Sequence, residues 1–206
     1  MAVHRDGLIE EEEGDEEMND ALFGEGGLLD LESHDAPPHL RDLARSAHLG
    51  DLNSLRQALD NLTGSIDEPV EDGDTALHLA CLYGHLPCVQ LLLERGANLE
   101  SKDEDGAIPL HDACAGGFTE IVQFLLNSAN DAESVKRMLE TVDAEGDTPL
   151  HHAARGEHVD VIGLLLASGA SVTATNLYGK SPCELPDPGT EAKRILQSAA
   201  STVSCQ

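Results

Sequence analysis

The sequence predicts an all-α solenoid, and three observations carry that prediction. The 206-residue chain is 40 % hydrophobic but only 2 % aromatic, so its core is aliphatic. Leu and Ala dominate the apolar set, and they favour helices over sheets. From Leu40 onward, similar segments recur along the chain: "TALHLACLYGH", then "AIPLHDACAGG", then "TPLHHAARGEH". Self-similarity at such a period marks stacked repeats, because one unit cannot bury its own apolar face.

The N-terminal part stands apart. Residues 1–36 hold 13 acids and one Arg, and "EEEEGDEE" at 10–17 repels itself, which predicts a disordered acidic tail. "APPH" at 36–39 marks the boundary, since paired prolines favour an extended approach and then a helix start. Within the tail, "LLDLE" at 28–32 resembles the clathrin-box motif, which makes it a candidate docking peptide.

The repeat domain is expected over 37–197. "LRDLARSAHLGDLNSLRQAL" (40–59) fits two helices without a preceding turn motif, so 40–68 reads as an N-terminal capping unit. "GDTALHLACLYGHLPCVQLLLERGANLESKD" (73–103) sets the template for a full unit over 69–104. "GAIPLHDACAGGFTEIVQFLL" (106–126) repeats it in 105–144, and "GDTPLHHAARGEHVDVIGLLLASGASVTATN" (146–176) repeats it again in 145–177. In "YGKSPCELPDPGTEAKRILQ" the prolines Pro186 and Pro188 break the first helix, so 178–197 reads as a C-terminal cap. Residues 198–206 are expected to be flexible.

Each full unit reads as a tight turn at Gly, a short helix, a second turn and a longer helix. Thr75, Thr148 and Ser181 are placed to cap the first helix, with Pro109, Pro149 and Pro182 at its first position. The Gly closing that helix is Gly50, Gly84 and Gly117, but the third full unit has Glu157 there, with Gly156 one residue early. A locally reshaped turn is expected at that point.

One interval is irregular. Leu77 to Leu110 spans 33 residues, whereas Leu110 to Leu150 spans 40. The extra residues fall in "NSANDAESVKRMLE" (127–140), where Asp131 or Ser134 can cap a new helix and Val135, Met138, Leu139 and Val142 recur at helical spacing. An added helix is expected, serving either a role of its own or none.

These residues resemble the ankyrin repeat: three units in register, with "TALH", "IPLH" and "TPLH" turns. The resemblance implies short β-hairpin fingers preceding paired helices, and protein binding through the fingers and the concave face of inner helices. The finger tips read "EDGD", "KDEDG" and "DAEGD", so Asp72, Asp74, Asp103, Glu104, Asp105, Asp143, Glu145 and Asp147 are expected to form an acidic ridge. Some of these acids are ordinary turn chemistry. The ridge either meets a basic partner or is a solvated edge. On the inner helices, Leu82, Tyr83, Asp112, His152 and Arg155 are expected to face the groove, and Tyr178 marks the next finger. Tyr83 is the candidate anchor, or else packs between units. The resemblance also makes His78, His111 and His151 turn-bonding residues rather than metal ligands.

Charge narrows the partner. The net charge is −27, from 39 acidic and 12 basic residues, which opposes a phosphate backbone and suits a basic protein. Solubility alone would also account for it. The chain further resembles small acidic ankyrin chaperones of ribosomal proteins in size, charge and a lengthened connection. No nucleophile motif, phosphate-binding loop or metal spacing is present, so a non-enzymatic interaction module without cofactor is expected. Five cysteines with no CxxC pair and no apolar run long enough for a membrane point to a reducing cytosolic or nuclear setting. The expected species is a monomeric adaptor or chaperone for a basic protein. A trafficking scaffold using "LLDLE" and an inhibitory subunit of an enzyme are the alternatives.

Overall fold

In the computed structural model, residues 39–70 and 72–203 are described. The expected tail with its "LLDLE" peptide lies outside them, as does Glu71. Among the described residues ten α-helices follow one another: α1 (Arg41–Leu49), α2 (Leu52–Asp60), α3 (Ala76–Leu82), α4 (Leu86–Glu94), α5 (Pro109–Ala115), α6 (Thr119–Ser128), α7 (Ala132–Glu140), α8 (Pro149–Arg155), α9 (Val159–Ala167) and α10 (Glu191–Val203). A 3-10 turn, Pro182–Glu184, stands where a further inner helix would begin.

The helices form two stacked layers. The inner layer runs α1, α3, α5, α8 and the 3-10 turn, each against the next; the outer layer runs α2, α4, α6, α9 and α10. Between them lies one aliphatic core, including Leu43, Leu55, Leu77, Leu92, Leu110 and Leu150, all essentially inaccessible. Cys81, Cys88 and Cys114 are buried within it as free thiols, where burial raises their pKa and keeps them protonated.

The fingers are tight turns rather than extended strands, and no strand forms among the described residues beyond an isolated bridge at Asp74. Each is closed by one hairpin-type bond from the first residue's N–H to a carbonyl four residues on: Val70 to Asp74 (2.7 Å), Asp103 to Ala107 (3.0 Å), Asp143 to Asp147 (3.1 Å) and Asn176 to Lys180 (2.9 Å).

The turn between the helices of the third full unit is not reshaped. Gly84 and Gly117 hold φ of 77° and 72°, and Glu157 holds the same left-handed conformation at φ 55°. Such a backbone costs a non-glycine residue about 1–2 kcal/mol. Glu157 gains a compensating bond, since its Oε1 accepts the Asp187 N–H at 2.8 Å. Gly156 has an ordinary φ of −80°, but a Cβ there would lie 2.4 Å from His158 Nε2. The His158 ring fills the space between Gly117 and Gly156 and bonds the Ala115 carbonyl at 2.9 Å.

The irregular interval forms helix α7. Asp131 caps it by accepting the Ser134 N–H at 2.7 Å, and Met138 and Leu139 are buried at 1 % and 4 % exposure. Val142 does not belong to its apolar face: the helix ends at Glu140, Thr141 turns extended, and Val142 is 45 % exposed. Arg137 grips Glu100 with two nitrogens, at 2.9 and 3.3 Å. The C-terminal helix also outruns its expected end at 197, continuing to Val203. Ile195, Ala199 and Ala200 keep one face on the core, which carries the helix onward.

Candidate functional site

Three buried histidines lock the fingers to the inner helices. In each case Nδ1 accepts a backbone N–H three residues upstream: Thr75 for His78, Ile108 for His111 and Thr148 for His151, each at 3.1 Å. The proton therefore sits on Nε2. That nitrogen reaches forward to the next finger, to the carbonyls of Ala107 (3.3 Å), Asp147 (3.3 Å) and Lys180 (3.1 Å). Burial lowers the pKa of all three, and His111, also opposed by His152, falls to about 4. Neutral imidazoles with both nitrogens occupied are structural pegs.

The acids of the fingers divide into two groups. Some are consumed by the turns. Asp103 Oδ1 accepts the Ala107 N–H at 2.8 Å, and Asp143 Oδ1 accepts the N–H groups of Glu145 and Asp147 at 2.9 Å each. Asn176 Oδ1 does the same in the fourth finger, for Tyr178 (3.0 Å) and Lys180 (2.9 Å). The tip residues Asp72, Glu104, Asp105 and Glu145 are exposed, while Asp74 and Asp103 are half-buried.

Asp147 is not on the ridge. It is 0 % exposed, with Oδ1 taken by the Asn176 amide at 2.7 Å and Oδ2 by the Arg155 guanidinium. Helix α8 brings Arg155, eight residues on, over it, and a buried carboxylate requires such a partner. Arg155 is exposed and His152 half-buried, and both already hold finger acids. Arg155 also lies 3.5 Å from Glu145, and His152 Nε2 lies 2.7 Å from Asp143 Oδ2. For Asp143, burial alone would raise the pKa, but the bonds from His152 and the Asp147 N–H together bring it below the usual carboxylate range.

Asp112 behaves differently. It occupies in α5 the place of His152 in α8, and its Oδ2 is enclosed with no hydrogen-bond partner. Burial, followed by the neighbouring Asp74 and Asp103, pushes its pKa up to about 8. Carboxylate oxygens of Asp74 and Asp103 and a ring nitrogen of His78 lie within 4.8 Å of one another.

Apolar surface completes the face. Leu82 and Tyr83 are 39 % and 42 % exposed, and the Tyr83 ring stacks on His48 of α1 at 4.0 Å between centroids. Tyr83 thus both packs between units and presents an open face. Tyr178 is 69 % exposed at the fourth finger. Sequence reasoning missed its neighbour Leu177, 78 % exposed, and Leu49, 50 % exposed. An apolar residue inside the tip "NLYG" was the available signal for the first.

No helix among the described residues is long and apolar enough to cross a membrane. The family model "Ankyrin repeats (3 copies)" matches residues 43–133, and "Ankyrin repeat" matches 145–177. A probable E3 ubiquitin-protein ligase of rice (Oryza sativa subsp. japonica), XBOS33, is 50 % identical over 36 residues, 18 % of this chain. The match spans only 7 % of that protein, so the likeness reaches no further than the repeat itself. The chain belongs to the ankyrin-repeat family, and its array is a protein–protein interaction module.

Proposed function

We propose that this array is an adaptor or dedicated chaperone that holds a basic protein against its acidic fingers. One observation carries the reading: the fold uses Asp103, Asp143 and Asp147 internally, yet exposed acids remain at three successive tips, Asp72, then Glu104 and Asp105, then Glu145. These exceed what the turns need, in a chain with a net charge of −27. A row of like charges on one edge attracts a cationic partner and rejects nucleic acid.

The test is affinity purification with wild type beside Glu104→Lys/Asp105→Lys. Those two side chains are exposed, whereas reversing Asp103 would also open its finger. Partners should be basic, lost from the reversed chain, and released as salt rises from about 50 to about 300 mM. A chaperone should additionally keep the recovered partner soluble when the two are mixed. Equal recovery by both forms would remove the ridge from the function.

A further inference from the structure

The second, third and fourth fingers share one turn geometry. In each, the glycine N–H donates to the carbonyl of the first finger residue: Gly106 to Asp103 (3.1 Å), Gly146 to Asp143 (3.0 Å) and Gly179 to Asn176 (2.9 Å). Those glycines hold φ of 79°, 77° and 70°. Corresponding side chains therefore leave the three turns in the same way. In this register the residue before the glycine is Asp105, then Glu145, then Tyr178, and all three are exposed. The residue before that is Glu104, Ala144 and Leu177. A row of acids thus ends in an apolar pair. Leu177 and Tyr178 are the most exposed large apolar side chains among the described residues, at 78 % and 69 %. The turn does not require them, since acids and alanine serve at the same places in the two fingers before.

The pair stands on a fixed backbone. The Leu177 N–H donates to the Glu145 carbonyl at 2.9 Å, which stitches the fourth tip to the third. A Cβ on Gly146 would come 3.1 Å from Leu177 Cγ, so that side chain starts hard against the third finger. Asn176 ties the Tyr178 and Lys180 N–H groups and is itself held by Asp147. Apolar area on a backbone already ordered costs little further entropy when a partner covers it. Charge says what kind of partner that is. Glu145 adjoins the pair, and its side chain is 51 % exposed although Arg155 lies 3.5 Å away; Glu104 and Asp105 follow one finger back. Lys180 is exposed at the end of the fourth finger and repels cations there. Cations are drawn to the second and third tips, and hydrocarbon to the fourth.

We propose that Leu177 and Tyr178 form an apolar anchor at the end of the acidic row, and that the partner docks through a basic segment with aliphatic or aromatic side chains at one end. The cations of that segment lie along Glu104, Asp105 and Glu145, and its apolar end covers the fourth tip. The inference rests on the reading of the partner as a basic protein and adds the apolar end and the direction in which the segment lies.

The test is a titration of the full isotope-labelled chain, followed by NMR, with acetyl-Lys-Arg-Lys-Arg-Gly-Leu-Phe-amide, the same peptide in reverse order, and both again with Ser for Leu and Phe. One of the two apolar peptides should bind about tenfold more tightly than its serine counterpart, the worth of burying one large apolar side chain. It should shift the Leu177 methyl and Tyr178 ring signals. That advantage should hold as salt rises from about 50 to about 300 mM, because screening weakens the charged contacts and not the apolar one. In Leu177→Ser/Tyr178→Ser the advantage should vanish. Both side chains are exposed, so this variant should keep its melting temperature, which checks that the array is intact. An apolar peptide that binds no better than its serine form, or an advantage that survives in the variant, would overturn the anchor. So would Leu177 and Tyr178 signals that move with protein concentration alone, since a second copy would then cover the pair. If apolar and serine peptides bind equally and are released by salt, the basic-partner reading stands and only the anchor fails. If none of the four binds, the acidic row is not a docking surface and the reading itself fails.

Discussion

His152 Nε2 lies 2.7 Å from Asp143 Oδ2, and one unit earlier the residue at the histidine's place is Asp112, whose Oδ2 meets no donor. The same scaffold position therefore carries a paired histidine in one unit and an acid without a donor in the unit before it. That difference has a consequence for pH. Asp112 holds its proton in the folded chain up to about pH 8, whereas unfolded it releases it near pH 4. Its stabilising contribution is whole below about pH 4 and lost as pH rises through about 8, a change on the order of a few kcal/mol. Between about pH 6.5 and 8 the wild type should lose stability in urea titrations, and Asp112→Asn should flatten that slope. An unchanged slope in the variant would mean that Asp112 is not the titrating group.

The histidines act with the opposite sign. His111 is depressed to about 4 from an ordinary value near 6.5, and His78 and His151 are also lowered. Stability from neutral His111 is present above about pH 6.5 and is lost as pH falls through about 4. His111→Ala should cost about 2–4 kcal/mol at neutral pH, since it deletes two buried bonds, and should shallow the acid limb. Denaturant curves at several pH values read both effects.

Arg155 covers a buried acid. Arg155→Met should destabilise by about 2–4 kcal/mol, because Asp147 at 0 % exposure is left with one hydrogen-bond partner fewer. Adding Asp147→Asn should recover much of that loss, and a double-mutant cycle measures the coupling.

The His158 ring predicts a second coupling. Gly156→Ala should cost about 1–3 kcal/mol by overpacking against that ring, although its backbone angle suits alanine. In a His158→Ala background the same change should cost almost nothing. Additive losses would place the cause in the backbone instead.

Helix α7 is held by burial more than by its surface ion pair. Met138→Ala should cost about 2–4 kcal/mol. Arg137→Ala, whose bond to Glu100 is exposed, should change the melting temperature little. Restoring a 33-residue interval by deletion should therefore destabilise the array, and partner recovery at low temperature then separates stability from binding.

The repeat register was legible because its cues are local: a turn, a proline at the first helical position, and apolar residues at fixed offsets. So was α7, whose capping Asp131 and buried Met138 and Leu139 lie within one short stretch. The acids were less legible. Asp105 and Asp147 are both finger acids in sequence, yet one is exposed and the other buried. What separates them is Arg155 and Asn176, eight and 29 residues away, which only the stacked fold delivers. Glu157 misled for a related reason. Its side chain disfavours a left-handed turn, but the bond to Asp187 in the next unit supports it.

The histidine pegs all point one way along the array, each from its own unit to the following finger. The second, third and fourth fingers are therefore fastened from behind, and the third and fourth open with Asp143 or Asn176 tying their own tips. The first finger begins with Val70, which can make no such tie, and the unit behind it has Ala44 where a peg would stand. In hydrogen exchange the fingers should thus release their amides in chain order, the first finger, at Val70 and 72–74, leading. The array resembles a row of latches with the leading one left off.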